Sequence, residues 1–136
     1  MTIAEVSEKF GVSQDTLRYY ERIGLIPRVN RNKSGFRNYT EEDCKWVDFV
    51  ICMRQSAGLP VEVLIEYVGL YQQGEETFEA RKELLIEQRN QLGARIEEMT
   101  KTFDRLNDKI TRYEQTIAAK EKTLRKPAES VSLNEG

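Results

Sequence analysis

The apolar positions of this chain change spacing several times, and each change predicts an element. Ile3, Val6 and Phe10 recur at helical spacing behind Thr2, Glu5 completes a capping box, and Gly11 supplies a left-handed stop. Ser13 caps a second helix after a turn of about three residues, and two short helices joined that tightly form a helix-turn-helix. Leu17 and one of Tyr19 and Tyr20 pack inward against Phe10 and Val12, while Gln14, Asp15, Arg18 and Arg22 face solvent. Gly24 and Pro27 close the turn that follows. Val29 to Tyr39 lies between helix breakers and predicts a small β-hairpin or wing. Thr40 then caps a third helix, with Glu41, Glu42 and Asp43 at the positive end of its dipole. Trp46, Phe49, Val50 and Met53 form its apolar face, and it ends near Gly58. Pro60 suits the first turn of a fourth helix with Val61, Leu64, Ile65 and Val68 inward, and Gly74 ends it.

The last pattern is the longest. Phe78, Leu85, Leu92, Met99, Leu106 and Tyr113 recur every seven residues, and Ile96, Phe103, Ile110, Ile117 and Leu124 form a second series with the same spacing. The residues between them are mostly charged or amide side chains. A helix from Phe78 to Leu124 is about 70 Å long, more apolar stripe than one small domain can cover. The seam predicts a coiled coil with a second copy of the chain, weaker at its start, where Lys82 and Arg89 replace apolar residues. The expected divisions are therefore a helix-turn-helix head with its wing over residues 1–73, a dimerisation helix over 74–125 and a disordered tail over 126–136. The predicted class is all-α with a small β wing.

Charge sharpens the picture only locally. The 136 residues carry a net charge of −2, yet Arg18, Arg22, Arg28, Arg31, Lys33 and Arg37 face a single acid, Glu21, within one stretch. Guanidinium forks and tyrosine hydroxyls on one helix face suit phosphates and base edges, and a basic wing close behind suits the same duplex. A helical hairpin with a solvated charged face has these residues too. Two cysteines, with no signal segment and no long apolar run, predict a soluble, reducing, cytoplasmic setting and no membrane partner. With no histidine, every Ser-His or Cys-His nucleophile is excluded, and neither an enzyme nor a cofactor is expected.

A helix-turn-helix carrying RYYERIGLIP, then a basic wing ending GFRNY, then TEED and an amphipathic helix, resembles the MerR family of bacterial transcription regulators. The resemblance runs from Thr2 to about Tyr71, and the following heptads agree with it. It implies a homodimer with antiparallel long helices that distorts promoter DNA whose elements lie too far apart, so that RNA polymerase engages both. Carried over by position, Ser13, Thr16, Arg18, Tyr19, Tyr20 and Arg22 belong to the recognition helix, and Lys33, Gly35, Arg37 and Tyr39 to the wing. Leu85, Leu92, Ile96, Met99, Phe103, Leu106, Ile110, Tyr113 and Ile117 form the dimerisation seam.

The effector is less defined. No cysteine follows Cys52, so the thiolate metal site of metal-sensing members is not expected. Cys44 and Cys52 share one helix about 12 Å apart along its axis, beyond the ~7 Å reach of a disulfide. From the residues alone, each reads as a small buried apolar side chain. The resemblance implies a different role for Cys52, since a branch of the family responding to aldehydes and nitrosative stress carries one thiol at this place. A small ligand with Cys52 purely structural, or a coiled-coil adaptor binding another protein, are the competing readings.

Overall fold

The computed structural model describes residues 1–130, with side-chain surroundings through residue 123. Its order is α1 (Ile3–Phe10), α2 (Gln14–Arg22), α3 (Glu41–Ile51), α4 (Val61–Gln73) and α5 (Phe78–Ser130), with no strand among the described residues. The backbone forms two compact units, Met1–Leu92 and the part from Gly93 onward.

Local chemistry sets the helix ends as expected. Thr2 Oγ1 accepts from Glu5 N at 3.1 Å while Glu5 Oε1 accepts from Thr2 N at 2.7 Å. Gly11 takes the left-handed conformation that ends α1, its φ being 67°. Ser13 Oγ accepts from Thr16 N at 3.0 Å, and Thr40 and Asp43 repeat the capping box before α3. Pro60 sits at the cap position of α4 rather than in its first turn, because its extended ψ of 143° lies outside the helix.

The first unit closes around Val6, Leu17, Leu25, Ile26, Val29, Tyr39, Val47, Val50 and Leu64, all essentially excluded from solvent. α1, α2, α3, α4 and the connection after α2 thus each contribute to one core, and each large apolar side chain contributes roughly 1.5–3 kcal/mol by leaving water. Beside it Trp46 packs on Tyr71, Tyr67 and Phe49 with ring centroids 4.9, 5.8 and 6.3 Å away. On α3 the inward residues are Cys44, Val47 and Val50, while Trp46 and Phe49 flank them half-buried, as does Met53 just past the helix end.

Two junctions depart from simple helix. After Ile51 the chain makes a π turn, Cys52–Ser56, in which Cys52 O accepts from Ala57 N at 3.3 Å. Arg54 Nη1 secures it by donating to Leu59 O at 2.6 Å. Between α4 and α5, the Thr77 hydroxyl lies 2.6 and 2.7 Å from the carbonyls of Leu70 and Gly74. Arg81 Nε donates to that hydroxyl at 3.2 Å, and its guanidinium lies 5.5 Å from the Tyr71 ring centre.

The expected β-hairpin is reduced to a single bridge between Arg31 and Arg37. Two backbone bonds flank that bridge, Asn32 N donating to Phe36 O and Asn38 N to Asn30 O, each at 2.8 Å, and side chains supply the rest. α5 continues through Pro127 to Ser130, five residues past its expected end. The remainder of the expected tail, residues 131–136, lies outside the described residues.

Candidate nucleic-acid interface

α2 and the wing carry the basic residues singled out by the sequence. On α2, Arg18 Nη1 donates to Asp15 Oδ1 at 2.8 Å and its Nη2 to Gln14 Oε1 at 3.3 Å. Both bonds stay within the helix, and an exposed pair of this kind contributes at most about 1 kcal/mol. Arg18 can therefore exchange Asp15 for a phosphate at small cost. Tyr19 is exposed, and the Arg22 guanidinium lies 5.5 Å from its ring centre, so the two form a stacked cation and aromatic at the end of α2. Ser13 Oγ donates to Thr16 Oγ1 at 2.9 Å, placing two hydroxyls together at the start of the helix.

The wing is built around Asn32. Its Oδ1 accepts from Ser34 N at 2.9 Å and from Phe36 N at 3.1 Å, and its own N–H donates to Phe36 O at 2.8 Å. Gly35 supplies the φ of 84° that this tight turn requires, and Arg31 Nη1 donates to Gly35 O at 2.8 Å. Lys33 at the tip is exposed.

Glu21 joins the two parts. Its carboxylate accepts from Arg37 Nε at 2.7 Å and from Val29 N at 3.2 Å, with both ionic side chains less than one-fifth exposed. In the sequence its one mark is that it is the lone acid among the cations from Arg18 to Arg37. Asn32 has no such mark, since an Asx turn is visible in sequence only as an unremarkable loop asparagine.

Three residues expected at the interface are placed otherwise. Tyr20 is buried because it takes the inward side of α2 that Tyr19 leaves. Tyr39 is 2% exposed, its hydroxyl without a hydrogen-bond partner among the described residues, because the wing returns to the core at that residue. Burial pushes both phenols above their ordinary pKa. Arg37 is committed to Glu21 and holds the wing against α2. The two cysteines also separate. Cys44 is buried as expected, whereas Cys52 is exposed, since it follows Lys45 and Asp48 at helical spacing on the solvent side of α3, away from Cys44, Val47 and Val50.

On α5, Leu85, Ile96, Met99, Phe103, Leu106, Ile110, Tyr113 and Ile117 are all exposed, between 38% and 72%. Leu92 alone of the expected seam is half-buried in its own chain. Ile96, Met99, Thr100, Thr102, Phe103 and Leu106 border an open groove of about 590 Å³. Within the first unit, Tyr67, Phe78, Arg81, Lys82, Leu85, Ile86 and Arg89 line a second cavity of about 420 Å³. Its cations include the two that interrupt the seam. No cluster among the described residues could hold a metal ion, and no helix there is long and apolar enough to cross a membrane.

A capped helix-turn-helix followed by a short basic wing and a long helix defines a DNA-binding transcription regulator. Residues 1–69 match the family model for MerR HTH family regulatory proteins, and residues 49–109 match that for MerR, DNA binding. The chain belongs to the MerR family. It is 54% identical over 92 residues to the HTH-type transcriptional regulator AdhR of Bacillus subtilis, a match covering 68% of this chain and 65% of AdhR. An HTH-type transcriptional regulator of Haemophilus influenzae is 30% identical over 86% of both chains. The crystal structure of a MerR family chain from Listeria monocytogenes superposes with a TM-score of 0.89 at 47% identity, covering 97% of this chain and 99% of that one. HiNmlR, a MerR family regulator lacking the sensor domain and crystallised on promoter DNA, gives a TM-score of 0.75 at 30% identity, covering 86% and 92%.

Proposed function

We propose that two copies of this chain pair through antiparallel α5 helices and carry two reading heads to promoter DNA. The observation carrying this reading is the exposed stripe on α5, which leaves large apolar side chains in water at heptad spacing unless another helix covers it. Residues 1–73 are the head and 74–125 the pairing segment. In each head Ser13, Thr16, Arg18, Tyr19 and Arg22 meet the major groove and its phosphates, while Lys33 and the Gly35 turn meet the flanking backbone. The pair bends and untwists DNA whose promoter elements are spaced too widely, so that RNA polymerase engages both. Without its signal, the same dimer on the same site represses.

Cys52 is the sensing group in this reading, supported by its exposure and by its position on the π turn between α3 and α4. Its sulfur adds to the carbonyl carbon of an aldehyde and the thiol proton passes to the oxygen, giving a hemithioacetal. The polar adduct at the turn alters how α4 leaves α3. A Cys52→Ser chain with Cys44 intact should lose aldehyde induction of a promoter reporter while still binding the promoter. Full induction in that variant removes Cys52 from the mechanism. It would favour the cationic cavity beside α5 as a small-ligand site, with Cys52 structural.

A further inference from the structure

We propose that Phe36 is a minor-groove residue of the wing, its ring packing against the deoxyribose edges that flank the site read by α2. The inference rests on the DNA-binding reading above and adds a contact that is neither charged nor hydrogen-bonded. Phe36 is 70% exposed, among the most exposed large apolar side chains of the head, although the core lies only three residues away at Tyr39. Its backbone is fixed on both sides, the N–H donating to Asn32 Oδ1 at 3.1 Å and the carbonyl accepting from Asn32 N at 2.8 Å. A phenylalanine left in water on a pinned turn is held out for something to cover it.

The surrounding charge identifies the cover. With Arg37 paired to Glu21, Arg28, Arg31 and Lys33 still occur between Arg28 and Thr40 without a single acid, so the ring projects from a cationic loop. A polyanion with apolar walls fits such a tip, and the minor groove offers sugar faces between two rows of phosphate. At about 6 Å wide, it admits a turn and an aromatic edge but not a helix. The Glu21–Arg37 pair fixes the base of the wing against α2, so a helix seated in the major groove brings the tip to the neighbouring minor groove.

The full chain, with a duplex it selects from a random-sequence library, gives the test. Phe36→Ala should bind about tenfold more weakly with an unchanged slope of log affinity against log salt, because an apolar contact releases no counterions. Hydroxyl-radical cleavage, which reads sugar exposure, should show the flanking minor-groove protection lost in Phe36→Ala and largely restored in Phe36→Leu. Lys33→Ala should do the reverse, lowering the salt slope by about one while the sugars stay protected. Equal affinity and an unchanged footprint for Phe36→Ala overturn the proposal. So does a drop in salt slope matching that of Lys33→Ala. Failure of the unsubstituted chain to select any duplex overturns the DNA-binding reading itself.

Discussion

The head and the later part of α5 use apolar residues in opposite ways. In the head, side chains from four helices and a connecting loop meet in one closed core, and the starts of α1, α2 and α3 are capped by Thr2, Ser13 and Thr40. Along residues 93–123 every side chain is exposed, and the apolar ones are as regularly spaced as any in the chain. Periodicity alone therefore does not distinguish a finished core from an unfinished one. What differs is the number of elements the chain supplies to cover the stripe. The head is complete as a folding unit, whereas α5 beyond Gly93 depends on packing from outside for most of its stability.

The largest expected effect breaks α5 and spares the head. Phe103→Asp places a charge in the stripe, weakening association by about 3–5 kcal/mol if it is buried between helices. Sedimentation should then give a single chain and promoter affinity should collapse, while the near-ultraviolet signal of Trp46 persists. Unchanged sedimentation would mean that the stripe is not the seam.

A smaller effect acts within the head. Glu21→Ala leaves Arg37 and the Val29 N–H without their acceptor and should lower stability by roughly 1.5–3 kcal/mol in a denaturant titration. Promoter affinity should fall further than stability accounts for, since the wing loses its anchor. An equal loss in the two measurements would reduce Glu21 to a stability residue.

The smallest effect is at Tyr39. Its buried hydroxyl has no partner among the described residues, so Tyr39→Phe should change stability by less than about 1 kcal/mol at neutral pH. The alkaline limb separates the two proteins. A phenol whose pKa is raised on folding supports the fold below its unfolded value of about 10 and withdraws that support as pH climbs toward the folded value. The Phe variant should therefore lose less stability above about pH 10, with Tyr20 left to produce the rest of the decline. Identical alkaline curves would place the Tyr39 hydroxyl in water.

Legibility followed distance along the chain. Thr2 with Glu5, Gly11, Ser13 and Thr40 could be read because a cap and the group it satisfies lie within four residues. The heptads could be read because spacing survives without knowing the partner. Glu21 and Arg37 are 16 residues apart, and no local rule joins them. Tyr39 was misjudged because the wing makes one bridge instead of a ladder, leaving no alternation to show which residues turn inward. The exposure of Cys52 departs from the buried reading, and its sign in the sequence is the charged pair Lys45 and Asp48, which precede it at helical spacing and are themselves exposed.

The threonines of α5 have one further consequence. Thr100, Thr102, Thr111, Thr116 and Thr123 each return their hydroxyl hydrogen to the carbonyl four residues earlier, at 2.8 to 3.2 Å. A hydroxyl already spent on its own backbone asks little of water, so Thr100 and Thr102 can line the groove beside Phe103 and be dried without leaving a donor stranded. A covering surface need bring no polar counterpart for them. The flank of α5 is prepared to become an interior before any second surface arrives.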